Sequence, residues 1–147
     1  MSSIARALGR DELLLAGFDL KKDPEIILKA YNDSQNITRD FNLNLLARIN
    51  RELGGNFNLD KFKHWPVYNP VSGQCKSFLI STEQQTVQVS ALGEAFTFDK
   101  AEAIFTEVSK KYSLKELQSN ARQMGFEIMN NFLDKQEYFT DSLWRKT

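Results

Sequence analysis

The sequence predicts an α/β fold with an inserted α+β unit and a sheet left incomplete. Three observations lead there. Glu12-Leu13-Leu14-Leu15-Ala16-Gly17-Phe18-Asp19 holds a continuous apolar run without alternation, the pattern of a strand buried on both faces of a parallel sheet. Residues 24–108 hold two helical patterns and then a cluster of strand patterns, the order of a separate α+β unit. Residues 113–145 supply one helix and two strands. A doubly buried strand needs parallel neighbours and helices on both faces, and only the terminal pair is left to partner it.

The elements follow in order. Residues 2–10 predict a short helix, with Ile4, Ala5, Ala7 and Leu8 apolar and Gly9 ending it. After the first strand, Asp23 can cap a helix while Pro24 takes its first position without wasting an amide. That helix runs to about Tyr31, and Asn32-Asp33-Ser34 breaks it. A longer helix spans about Asn36 to Leu53. Its apolar positions are Ile37, Phe41, Leu45, Ala47, Ile49 and Leu53, widened by Leu43 and Leu46, and Gly54-Gly55 stops it.

Residues 63–108 predict strands. Trp65, Val67 and Tyr68 precede Asn69-Pro70, and Ser72-Gly73 marks a turn. Cys75–Ile80 and Thr86–Leu92 are two strands; in the second, Val87, Val89 and Ala91 share one face. Phe96 and Phe98 continue that pattern, and Ala103–Val108 is a further strand. Ser113-Leu114-Lys115-Glu116 spells a capping box for a helix that ends at Gly125. Strands near Phe126–Leu133 and Tyr138–Arg145 close the chain around a turn at Asp134–Glu137.

Composition narrows the function. The chain has 147 residues, enough to bury a sizeable core, and nineteen basic groups balance nineteen acidic ones. The balance holds in each half, so there is no basic surplus for nucleic acid. Cys75 and His64 are single, which leaves no internal disulfide and no zinc site built on Cys and His. No apolar run reaches the roughly 18 residues of a membrane span, and the N-terminus lacks a signal-peptide order. A cytoplasmic location is the expectation.

No Gly-rich phosphate or dinucleotide loop is present. Two constellations have chemical potential. In Thr106-Glu107-Val108-Ser109, strand geometry points Glu107 and Ser109 one way and Thr106 and Val108 the other. A carboxylate beside a hydroxyl can bind an imidazole, amine or amide, and the same pair also makes an ordinary solvated strand face. Tyr31-Asn32-Asp33-Ser34 places a tyrosine beside polar caps, either to order a ligand carboxylate or simply to make a turn. His64 beside Trp65 reads as a surface or packing residue, since no orienting partner can be named. Asp19 sits at the carboxyl end of the first strand, where open α/β sheets bind ligands.

Longer blocks then resemble a known family. Phe18-Asp19-Leu20-Lys21-Lys22-Asp23-Pro24, Ala30-Tyr31-Asn32-Asp33, and the stretch from Thr38-Arg39-Asp40-Phe41 to Arg51-Glu52-Leu53-Gly54 are similar to the histidine-specific S-adenosylmethionine-dependent methyltransferases. Phe57–His64, Tyr68-Asn69-Pro70 and Thr106–Tyr112 resemble later blocks. The resemblance covers only the C-terminal part of that family. It implies the end of a class I, Rossmann-like methyltransferase fold: residues 1–21 as a late helix and strand, 22–111 as the inserted substrate-binding domain, and 112–147 as the closing helix and hairpin.

The resemblance also implies methyl transfer from S-adenosylmethionine to the alpha-amine of histidine or a related small amine. Tyr31 would hold the amino-acid end, Glu107 and Ser109 the imidazole, and Thr38 and Phe41 would line the same pocket. Ser77 looks like the counterpart of a methionine in the family's histidine enzymes, which puts the exact amine in question, and residues 141–146 differ from the last strand of those enzymes. The missing cofactor loop implies that the isolated chain is inactive and binds the cofactor weakly or not at all. The open sheet edge implies a partner, either the absent N-terminal half or a second copy. A stand-alone ligand-binding or interaction module, or half of a split enzyme, is the alternative.

Overall fold

The computed structural model describes residues 2–147. It is mixed α/β with antiparallel sheets. The elements are α1 (Ser2–Ala7), β1 (Leu13–Asp19), α2 (Pro24–Tyr31), α3 (Ile37–Leu53), β2 (Phe62–Asn69), β3 (Gln74–Ser81), β4 (Gln85–Val89), β5 (Glu94–Phe98), β6 (Ala103–Lys110), α4 (Leu114–Gln123), β7 (Phe126–Leu133) and β8 (Phe139–Lys146). They divide into two compact units. One comprises residues 1–22 and 110–147; the other comprises residues 23–109.

The first unit is a three-stranded sheet in the order β1-β8-β7. Here the expectation of a doubly buried, parallel strand fails. β1 pairs antiparallel with β8, from Leu13 opposite Arg145 to Asp19 opposite Phe139. Its burial alternates, with Leu13 and Leu15 58% and 62% exposed. Leu14 and Phe18 pack inward on Trp144, Phe126 and Ala121, with Ala5, Leu8, Met124 and Ile128 around them. Trp144 is fully buried, and its indole N–H donates to Ser142 Oγ at 2.6 Å. Just beyond β1, Leu20 makes an isolated parallel bridge to Tyr112. An apolar run therefore marked a strand correctly but could not say whether both faces are covered.

Acidic residues tie together the two chain segments of this unit. Asp19 holds Lys22 through Oδ1 and Lys111 through Oδ2, each at 2.7 Å. Glu116 holds Lys21 at 3.1 Å and Lys110 at 3.2 Å. Each carboxylate thus takes one lysine from the outgoing segment and one from the returning segment. Glu116 also completes the predicted capping box with Ser113, their two bonds measuring 2.8 and 3.2 Å.

The second unit sets α2 and α3 beside the sheet β2-β3-β6, with β4-β5 as a separate hairpin. Its core is Leu46, Phe57, Phe62, Leu79, Val87 and Val89. The pattern predicted at Phe96 and Phe98 is not a continuation of β4: the chain turns at residues 90–93 and runs back as β5, Val87 facing Phe96. The helix predicted at 36–53 forms, but its core-facing stripe differs. Ile37 and Phe41 are 64% and 67% exposed, while Asn42 and Leu46 are buried, with Leu43 and Ile49 packed beside them. Gly54 ends α3 at φ +64°, a left-handed position that favours glycine.

Candidate functional site

The site is built entirely within the second unit, where α3 lies over β3 and β6. Asp33 sets the start of α3. Its carboxylate accepts from the amides of Ile37 at 2.8 Å and Thr38 at 3.0 Å, and those bonds hold its pKa below the usual aspartate range. The Thr38 hydroxyl is spent on the Ala30 carbonyl at 3.3 Å, which ties the end of α2 to the start of α3.

Four hydrogen bonds then link α3, β3 and β6. Asn42 Nδ2 donates to the Thr38 carbonyl at 2.9 Å. The Thr106 hydroxyl is shared between Asn42 Oδ1 at 2.6 Å and the Ser77 carbonyl at 2.9 Å. Ser77 Oγ, fully buried, donates to Glu107 Oε1 at 3.3 Å. This satisfies an asparagine in the middle of a helix, which would otherwise be a costly buried amide.

A groove of about 260 Å³ opens in front of this network. Phe41, Leu45 and Arg48 of α3 form one wall, and Thr106 and Glu107 of β6 form the other. Strict strand alternation fails here. Thr106, expected to point away from Glu107, reaches the same groove and the same residue, Ser77. Phe105 and Val108 take the exposed side instead, at 53% and 50%.

The six residues singled out in the sequence are therefore not equivalent. Phe41 and Glu107 line the groove; Ser77 and Thr38 stand behind it in the network. Tyr31, at the end of α2, and Ser109, on β6, are half-buried and lie outside the groove's lining. Asn42 and Thr106 were not singled out. The signal for Asn42 was available: it shares the spacing of Leu46 and Ile49, so a polar residue sits on the buried stripe of a helix.

His64 is a packing residue, 7% exposed on β2. Burial pushes its pKa below the usual value, against the pull of Glu107 and Asp33, and its Nε2 has no hydrogen-bond partner among the described residues. Among the described residues no group of His, Cys, Asp or Glu side chains could hold a metal ion.

A mixed α/β protein with a groove between a helix that presents an aromatic ring and a strand that presents a carboxylate is the class that fold and site define. The profile of the histidine-specific, S-adenosylmethionine-dependent methyltransferases matches residues 1–146, and the chain belongs to that family. It is similar to the histidine N-alpha-methyltransferase of Mycobacterium tuberculosis (strain CDC 1551 / Oshkosh), 37% identical over 76% of this chain and 35% of that protein. The enzyme of the same name from Mycolicibacterium smegmatis is 34% identical over 85% of the chain and 39% of its own length. Ergothioneine biosynthesis protein 1 of Schizosaccharomyces pombe is 27% identical over 90% of the chain and 17% of its own length. The chain thus spans little more than a third of the bacterial relatives it matches. No helix among the described residues is long and apolar enough to cross a membrane.

Proposed function

We propose that this chain is the substrate-binding, C-terminal portion of an S-adenosylmethionine-dependent methyltransferase acting on the alpha-amine of histidine or a related small amine. Residues 22–111 are its inserted substrate domain, and residues 1–21 with 112–147 are the end of the Rossmann-like domain. The observation that carries the reading is the Glu107 carboxylate, fastened by Ser77 through one oxygen and lining a groove with Phe41. Such a carboxylate accepts an N–H from an imidazole or an amine. The family's substrate suits that acceptor, and Phe41 and Leu45 suit a planar ring.

S-adenosylmethionine supplies the methyl group in this chemistry. The residues present do not fit it by themselves: the chain has no Gly-rich strand-turn-helix, and β1 leads to α2 through Leu20-Lys21-Lys22-Asp23 instead. The cofactor site belongs to the part of the enzyme outside these residues. What this chain supplies is position, holding the amine-bearing ligand in a fixed pose.

Calorimetric titration tests both halves. L-histidine should bind the chain saturably and fail to bind Glu107→Ala, and S-adenosylmethionine should give no micromolar constant. Unchanged histidine binding in Glu107→Ala would place the pocket elsewhere.

A further inference from the structure

We propose that the outward face of the β2-β3-β6 sheet in the second unit docks an acidic amphipathic helix of a partner protein, on an aromatic row flanked by lysines.

Register and burial sort this sheet onto two faces. His64 pairs with Leu79 and Pro66 with Ser77 on the face beneath α2 and α3, where His64, Ser77 and Leu79 are buried. Lys63 pairs with Ile80, Trp65 with Phe78 and Val67 with Lys76 on the other face. Phe105 of β6 joins this second face, its ring centroid 5.7 Å from that of Phe78. Trp65, Phe78 and Phe105 thus form a row across three adjacent strands. The row is open: Trp65 is 51%, Val67 44% and Phe105 53% exposed. Large apolar side chains gathered on one open face mark an interaction site rather than scattered surface residues. Tryptophan and phenylalanine are also the side chains that interfaces enrich.

The charges on this face have one sign. The outward positions of β2 and β3 carry Lys63 and Lys76 and no carboxylate. Lys63 Nζ lies 5.1 Å from the centroid of the Trp65 ring, and neither lysine is in an ion pair among the described residues. Glu107 of β6 turns to the groove on the opposite face, where Ser77 holds it.

Charge complementarity selects the occupant. A second copy of this chain would set lysine against lysine. A nucleic acid would find two cations here and no basic surplus in the chain as a whole. An acidic protein segment meets both the rings and the lysines.

The shape of the segment follows from the sheet. Pro66 withholds an amide from the edge strand β2, so recognition there is by the face and not by an added strand. A helix is the element that covers such a face. Val67, opposite Lys76, lies about 13 Å along β2 from Lys63. Two turns of helix span about 11 Å. Carboxylates two turns apart therefore reach the two lysines while an apolar stripe between them lies on Trp65, Phe78 and Phe105.

The test titrates the chain with a synthetic helical peptide that carries leucines along one stripe, glutamates beside it and no tryptophan. Trp65 emission should move to the blue as the peptide covers the ring, while the buried Trp144 stays constant. The same peptide with lysines in place of its glutamates should bind about tenfold or more weakly. The double variant Lys63→Glu, Lys76→Glu should weaken the acidic peptide by a similar factor. Trp65→Ser, an exposed change, should lose binding by calorimetry with its urea midpoint unchanged. No binding of the acidic peptide, equal binding of the two peptides, or a double variant that binds as the parent does would overturn the proposal. So would tighter binding of a single-stranded oligoribonucleotide, or self-association of the chain that Trp65→Ser abolishes. Glu107→Ala should bind the peptide as the parent does; lost binding there would put the peptide in the groove and overturn the proposal as well.

Discussion

The Ser77 hydroxyl donates to Oε1 of Glu107 across 3.3 Å from a fully buried position on β3. One carboxylate oxygen is thereby engaged by the protein, and the carboxylate is oriented before a ligand arrives. Ser77→Ala should weaken histidine binding by roughly two- to tenfold, the worth of one net hydrogen bond of about 0.5–1.5 kcal/mol. Calorimetry on the two proteins checks it. Ser77→Met has no space to enter at this fully buried position and should cost about 1–3 kcal/mol of stability by overpacking, measured by urea unfolding.

Glu116 gives the first unit an acid-sensitive fastening. Burial alone would push its carboxyl up, but bonds from the Ser113 amide, Lys21 and Lys110 outweigh it and hold the pKa down to about 2, from an ordinary 4.5. Between those values the unfolded chain binds the extra proton. The stabilisation is therefore complete above pH 4.5 and drains away as pH falls through about 2. Glu116→Gln should lower the melting temperature at pH 7 and flatten that acid limb. Melting curves at pH 7, 4 and 2.5 decide the matter.

His64 acts in a different window. Burial depresses its pKa below 6.5, even with Glu107 and Asp33 pulling it upward. The unfolded chain then holds more protons just below pH 6.5, so stability is full above that pH and declines as pH falls toward the folded value. His64→Phe should remove this slope. Equal slopes in both proteins between pH 7 and 5.5, by urea midpoint, would contradict the role of burial at this position.

Trp144 anchors the sheet of the first unit, with Phe18 stacked on it at 5.5 Å and Phe126 at 5.8 Å between ring centroids. Trp144→Ala should cost about 3–5 kcal/mol, read from chemical denaturation. It also removes the indole N–H from Ser142 Oγ, which keeps only its own bond to Asn131 Oδ1.

Local chemistry was legible where the sequence spells its own hydrogen bonds. Asp23-Pro24 starts α2, with Asp23 accepting from the Glu25 amide, and Ser113 and Glu116 cap α4 reciprocally. Tertiary facts were not. Leu13 and Leu15 belong to an apolar run, yet their face lies exposed, because such a run marks a strand without saying which of its faces is covered. Periodicity puts Phe41 on the apolar stripe of α3, but Asn42 is buried on the core side instead, satisfied by Thr106 and the Thr38 carbonyl, and Phe41 walls the groove. Glu107 was legible through its family block; the Ser77 bond that orients it joins residues 30 apart and needs the fold.

What occupies the groove at Glu107 decides the proposed function. A titration of the isotopically labelled chain with L-histidine, followed residue by residue by nuclear magnetic resonance, tests it most directly. Saturable shifts centred on Phe41, Ser77, Thr106 and Glu107, absent in Glu107→Ala, are the predicted result. Shifts confined to other residues, or the same shifts in Glu107→Ala, would contradict it.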